Sequence, residues 1–214
     1  MRFENTYFIN GNAYAGKSTL VKGLAEKYNG IACEENYHNA LLPGLDRAAF
    51  PGLTYTRDLQ DWHDFVRRTP AEYGAWIRQT SKECEILELQ ILETLCTPER
   101  PVFVDTNISL DTLRKITDPS HVLIMLADPE ISVNRFFERP DREKQFLYRL
   151  LQEEEDPPRA MENFRQCLAE INTQENYEMF LHAGFPVILR DENRSASETL
   201  RLAEGIFGLQ GFKK

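Results

Sequence analysis

Short, unbroken apolar runs alternate along this chain with longer stretches in which apolar residues return every three or four positions. The runs are Ile31-Ala32-Cys33, Pro101 to Asp105, which ends in a carboxylate, His121 to Ala127 and Pro186 to Arg190, while Phe3 to Ile9 is rich in β-forming residues. Runs this short, bounded by turn residues and apolar at consecutive positions, predict strands buried on both faces. Between them, Lys17 to Tyr28 predicts a helix with Leu20, Val21 and Leu24 on one face. Asp58 to Arg68 and Ala71 to Cys96 predict two more, divided at Thr69-Pro70. The second carries a stripe of Tyr73, Trp76, Ile77, Cys84, Leu87, Ile91 and Leu95, which reads as core packing. Ser195 to Phe207 closes the chain as a helix with Ser195 as N-cap. Asn36 to Arg57 is irregular, punctuated by Pro43-Gly44 and Pro51-Gly52, and is long enough that it either is functional or holds a short helix. Glu153 to Asp156, before Pro157-Pro158, reads as a solvated helix end and turn. Apolar strands alternating with helices predict an α/β fold, a parallel sheet of five strands with helices on both faces. No repeat or linker divides the chain, so a single domain over residues 1–214 is expected.

Composition narrows the setting. At 42% hydrophobic and 28% charged residues the chain is an ordinary globular one. No apolar run approaches the ~20 residues of a membrane span. Met1-Arg2-Phe3-Glu4-Asn5 lacks the apolar core of a signal peptide, so a cytoplasmic location is expected. Cys33, Cys84, Cys96 and Cys167 are scattered and predict reduced, mostly buried thiols. A net charge of −9 disfavours duplex nucleic acid as a partner.

The candidate chemistry sits where the first strand meets the first helix. Gly11-Asn12-Ala13-Tyr14-Ala15-Gly16-Lys17-Ser18 matches G-x-x-x-x-G-K-[ST], the phosphate-binding loop, or P-loop, with Thr19 next in the helix. Each fixed position has a mechanical reason. Gly11 and Gly16 let the backbone curl its N–H groups toward phosphate oxygens, Lys17 reaches the β- and γ-phosphates, and Ser18 offers a hydroxyl to Mg²⁺. The helix that follows aims its positive end at the same anion. ATP with Mg²⁺ is therefore the expected ligand. No guanine-reading N-K-x-D occurs, nor L-S-G-G-Q, so neither a GTPase nor an ABC-type ATPase is indicated.

By this motif, and by its order of elements, the chain resembles the nucleoside monophosphate kinase-like group of small-molecule kinases, which includes adenylate kinase and shikimate kinase. The resemblance implies a P-loop NTPase fold with strand order 2-3-1-4-5, an acceptor-binding helical segment at about 36–97 and a short lid at about 135–145. It implies an ATP-dependent transfer of the γ-phosphate to a small-molecule acceptor. Asp105 looks like the carboxylate that holds Mg²⁺ through water beside Ser18. Glu34 and Glu35 lie where similar kinases place an acid that binds the acceptor or takes its hydroxyl proton. Arg135-Phe136-Phe137-Glu138-Arg139 resembles the lid entry, with Arg135 on the adenine and Arg139 on phosphate, and Arg142 as a further lid cation. Read without the resemblance, those arginines pair with acidic neighbours on an amphipathic helix. Arg57, Arg67, Arg68 and Arg78 share the acceptor segment with Trp62, Tyr73 and Trp76, and one of the four should hold an anionic acceptor. Asp191-Glu192-Asn193 corresponds to an adenine-contacting loop. His63 reads as helix-surface polarity, and His38, His121 and His182 as isolated residues. Two other readings stand beside the kinase: a nucleoside or nucleotide acceptor, and an ATP-binding regulatory module or slow ATPase without an acceptor.

Overall fold

The apolar runs form the strands of one sheet. A computed structural model of the chain describes residues 3–138 and 142–209. Strand β1 spans Thr6–Gly11, β2 Ile31–Cys33, β3 Val102–Asp105, β4 Val122–Leu126 and β5 Val187–Leu189. They pair in the order β2-β3-β1-β4-β5, and every pairing is parallel. The three central strands are buried on both faces: β3 and β4, whose sequences are almost wholly apolar, contain no exposed residue, and β1 is buried from Thr6 to Asn10. The expected α/β architecture and strand order are therefore present.

Helices return the chain between strands. Helix α1 (Lys17–Tyr28) buries Leu20, Val21, Leu24 and Ala25. After β2 a 3-10 turn over Tyr37–Gly44 leads to α2 (Pro51–Asp58), so the Pro/Gly-rich stretch does hold helix. The helix expected from Asp58 to Arg68 is instead broken. The chain turns extended at Leu59, and only α3 (His63–Val66) is helical. The Asp61 carboxylate, accepting from His63 N at 2.9 Å, starts a new helix rather than continuing the old one. Helix α4 (Pro70–Leu95) is long, and its buried face includes Glu83 and Glu88 as well as apolar residues. Then come α5 (Leu110–Ile116), α6 (Pro129–Asn134), α7 (Arg142–Gln152), α8 (Pro157–Ile171), α9 (Gln174–Leu181) and α10 (Ala196–Ile206). Ser195 caps α10 with a full capping box to Glu198.

Two compact units emerge. The first comprises residues 1–41, 84–127 and 178–214 and contains the whole sheet; the second comprises 42–83 and 128–177. The first unit's core packs Tyr7, Ile9, Leu24, Phe103, Leu123, Ile188 and Phe207 between α1, the sheet and α10. The second unit is built on aromatic residues, with Phe65, Tyr73 and Phe164 at its centre and Trp62, Trp76, Phe136 and Phe137 against them. Here the buried Glu83 accepts from Gly52 N at 2.9 Å and Leu53 N at 2.8 Å, capping α2, whose own N-cap side chain makes no such bond. Glu154 departs from the expected solvated turn. Its side chain is 11% exposed and takes His63 Nδ1 at 2.6 Å and Arg67 Nε at 2.9 Å. His63 is therefore a paired residue rather than surface polarity. Asp156 caps α8 by accepting from Arg159 N. All four cysteines are free thiols, with Cys33, Cys84 and Cys167 buried. Among the described residues no helix is long and apolar enough to cross a membrane.

Candidate functional site

The glycine-rich loop leaves the sheet at its most crowded point. Gly11 ends β1 at φ 127°, opposite Met125 of β4. A Cβ at this position would meet Met125 O at 1.9 Å, so only glycine lets β1 run this close to its neighbour before turning. Tyr14 at φ 65° and Gly16 at φ 92° supply two further left-handed turns. Gly16 is the N-cap of α1 and brings no side-chain oxygen to the helix's first turn. That turn also holds no acidic residue, unlike the first turns of α5, α6 and α10 with Asp111, Glu130 and Glu198. The first turn of α1 thus brings no counter-charge of its own to the helix's positive end.

Asparagines hold the loop from both sides. Asn10 Nδ2 donates to Ile108 O at 2.8 Å, and its Oδ1 accepts from Gly11 N at 2.6 Å. Asn12 closes a two-way clasp on Ala127, just past β4: its Nδ2 donates to Ala127 O at 2.6 Å and its Oδ1 accepts from Ala127 N at 2.8 Å. Arg190, just past β5, donates through Nη1 to Tyr14 O. Sequence reasoning missed Arg190 and Asn10. It placed Asn12 in the loop, but an asparagine that bonds a backbone 115 residues away cannot be told from one that faces solvent.

Lys17, Ser18 and Asp105 converge. Ser18 Oγ donates to Asp105 Oδ2 at 2.8 Å. Lys17 Nζ lies 3.7 Å from Asp105 Oδ1 and donates to Asn12 O at 3.0 Å. Parallel pairing of β1 with β3 accounts for the meeting, since it sets Asp105 beside Ile9, and the loop carries Lys17 and Ser18 back over that strand end. Burial raises the Asp105 pKa above the ordinary carboxylate value. The Lys17 ammonium and the Ser18 hydroxyl oppose that rise, and the charges of Glu35 and Glu88 add to it.

The other expected site residues lie in different settings. Ala15 is buried, whereas Ala13 and Thr19 are exposed. Glu34 and Glu35 are both exposed just past β2. Glu34 pairs with Lys22 at 2.9 Å, while the charge of Glu35 is felt at Asp105. Arg135 and Arg142 belong to the second unit and are exposed; Arg135 lies 3.7 Å from Glu138, the pairing its own sequence neighbours predict. Arg139 lies outside the described residues. The Asp191-Glu192-Asn193 loop follows β5, where Arg190 Nη2 lies 3.4 Å from Glu192.

Behind the site stands a buried polar cluster that no sequence pattern announced. Glu88 of α4 is fully buried and accepts from Thr106 Oγ1 at 2.6 Å, Asn107 N at 3.0 Å and Asn107 Nδ2 at 2.8 Å. His38 sits against it, with Nδ1 at 3.6 Å from Glu88 Oε1 and Nε2 at 3.2 Å from Cys84 Sγ. His38 is thus not isolated.

No protein-family model matches this chain, and no curated protein matches it at a significant level.

Proposed function

We propose that the chain is a P-loop phosphotransferase that moves the γ-phosphate of ATP, with Mg²⁺, to a small-molecule acceptor. The observation that carries this reading is the convergence of Lys17 and Ser18 on the Asp105 carboxylate, at the end of a loop turned by Gly11, Tyr14 and Gly16. A loop with left-handed turns, opening onto an uncapped helix N-terminus, suits a polyanion. The strand order beside it is the one that the resemblance to small-molecule kinases implies.

The residues fit a magnesium ion. Ser18 and Asp105 are hard oxygen donors in contact with one another. Among the described residues no group of three or more His, Cys, Asp or Glu could hold a metal. Mg²⁺ is ordinarily bound by one or two protein groups, with phosphate and water oxygens completing its shell. Ser18 and Asp105 are the residues that would hold Mg²⁺, and the ion would supply neutralising charge to the phosphates.

The chain's own residues account for the rest. Lys17 carries the positive charge for the β- and γ-phosphate oxygens, and Asn12 O already holds its ammonium at the loop. With Glu34 paired to Lys22, Glu35 is the acid proposed to orient the acceptor hydroxyl or take its proton. On the resemblance alone, Arg139 and Arg142 enter as charge-neutralising lid residues and Arg135 as the lid residue on the adenine.

The test is ADP release from MgATP across a panel of small metabolites bearing hydroxyl, carboxylate or phosphate groups. Release that one acceptor stimulates, that requires Mg²⁺ and that Lys17→Ala abolishes is the expected result. Release that no acceptor stimulates would identify an ATP-binding module or slow ATPase instead. Absence of any MgATP binding would remove the P-loop reading.

A further inference from the structure

The arginines of the second unit's 57–78 segment have unlike surroundings. Arg57 holds Asp58 with two nitrogens, at 2.7 and 2.9 Å, and donates to Leu42 O and Leu45 O. Arg67 is paired with Glu154, and Arg78 is exposed to solvent. Arg68 is half-buried among rings. Its guanidinium carbon lies 3.9 Å from the centroid of Tyr55, with Trp76 at 5.2 Å and Phe65 at 5.3 Å. Among the described residues no carboxylate pairs with it, and its Nη1 is buried with no hydrogen-bond partner.

That arrangement is costly for the protein alone. Ring faces attract a guanidinium, but they do not replace the oxygen acceptors its N–H groups lose on leaving water. A buried cation is ordinarily paired, and an apolar side chain of similar volume would fill the same space without the penalty. Among the described residues the buried carboxylates Glu83, Glu88, Asp105 and Glu204 all have hydrogen-bonding or ionic partners. The half-buried Arg68 has instead an aromatic lining and, among the described residues, no carboxylate in direct contact, although its charge is felt at the exposed Glu72.

We propose that Arg68 is the anchor of an anion-binding site in the second unit, whose ligand is a small organic carboxylate or phosphate monoester. The guanidinium fork matches the paired oxygens of either head group, and the Tyr55, Phe65 and Trp76 rings form an apolar wall for the body that carries it. That this ligand is the phosphoryl acceptor rests on the phosphotransfer reading above; the site itself does not.

Intrinsic fluorescence reads the site directly, because the two tryptophans, Trp62 and Trp76, both belong to this unit and Trp76 borders the guanidinium. The probes are phenyl phosphate, benzoate and benzyl alcohol, which carry one ring with a phosphate, a carboxylate or no charge. Without nucleotide, at least one anion is expected to change the fluorescence saturably and raise the melting temperature, while benzyl alcohol does neither. The anion that binds tighter identifies the head group. Arg68→Met should abolish both responses, yet melt no lower than the parent without ligand, because it removes an unpaired buried donor. Arg68→Lys keeps a charge without the fork and should weaken binding at least about 10-fold. A lack of saturable response to either anion overturns the proposal, as does a parent-like response in Arg68→Met. An Arg68→Met protein that fails to fold, together with undiminished binding in Arg68→Lys, makes Arg68 a packing residue and overturns it too. Whether the bound anion then stimulates ADP release from MgATP is a separate measurement, so failure of the site and failure of the phosphotransfer reading are told apart.

Discussion

Thr106 Oγ1 donates to the buried Glu88 carboxylate at 2.6 Å, one residue beyond Asp105. Through this bond and those from Asn107, α4 fixes the backbone that carries the proposed metal-binding carboxylate. Glu88→Ala would leave a buried hydroxyl and an amide without acceptors, and should cost about 3 kcal/mol of stability. Glu88→Gln, which keeps acceptor oxygen but not charge, should recover part of it. Urea unfolding of the three proteins measures both, and an alanine variant as stable as the parent would make the cluster incidental.

Gly11→Ala should be among the most damaging single changes in the first unit. Its added carbon would lie 1.9 Å from a β4 carbonyl, on backbone at φ 127°. Neither neighbour is a flexible side chain, so a loss of more than about 3 kcal/mol is expected. Thermal melting and circular dichroism would show it directly. Parent-like melting would mean that β1 and β4 can part here without cost.

Lys17→Ala should separate folding from activity. Lys17 is partly exposed, and among the described residues its head group touches Asn12 O and Asp105. Its loss should leave the melting temperature within a few degrees of the parent, yet lower phosphate transfer at least about 100-fold. Retained turnover in a folded variant would contradict the proposed role.

Asp105 links stability to pH. Burial is the largest influence on its carboxyl and raises its pKa, so the folded state holds this proton to higher pH than the unfolded chain does. The contribution of Asp105 to stability therefore falls as pH climbs from the ordinary carboxylate value through the raised one. Asp105→Asn cannot titrate, and its stability relative to the parent should rise across that window and level off above it. Denaturant unfolding over a pH series, without Mg²⁺ or nucleotide, tests the sign. A difference independent of pH would refute it. In the presence of MgATP the parent should gain more stability than the variant, because it binds more tightly.

Arg135 tests the lid. Its pairing with Glu138 is exposed, so Arg135→Ala should change stability by less than about 0.5 kcal/mol. If it lies on the adenine, the variant should bind ATP more weakly with little change in kcat. Parent-like affinity, measured by titration calorimetry, would leave Arg135 as a helix-surface residue.

How much of this could be read from residues alone follows from the range of the forces involved. The strands were legible because burial on both faces leaves no polar alternation, and the Gly11–Ser18 loop because its backbone demands restrict each fixed position. Helix α8 was legible in principle, since Asp156 before Pro157-Pro158 is a helix-start pattern as well as a turn. Glu83, Glu88 and Glu154 were not. Each is an acid on or beside a polar-looking surface, and each is tied down by partners 18 to 91 residues away. The arginines show the same limit. Arg57, Arg67 and Arg68 look alike in sequence, and only their surroundings separate two neutralised cations from one caged by rings.

The clasp between Asn12 and Ala127 has a mechanical consequence. Its two hydrogen bonds run in opposite directions, as rungs between neighbouring strands do, so one side chain prolongs the sheet where the backbone of β1 has already turned away. The tip of the loop is thereby riveted to the end of β4. Any shift of Asn12 either drags Ala127 with it or breaks both bonds at once, which makes the response of this joint stepwise rather than gradual. Ala127 is also the last residue before the chain passes into its second unit. The rivet holds β1 and β4 together beyond Gly11 and Met125, their last paired residues.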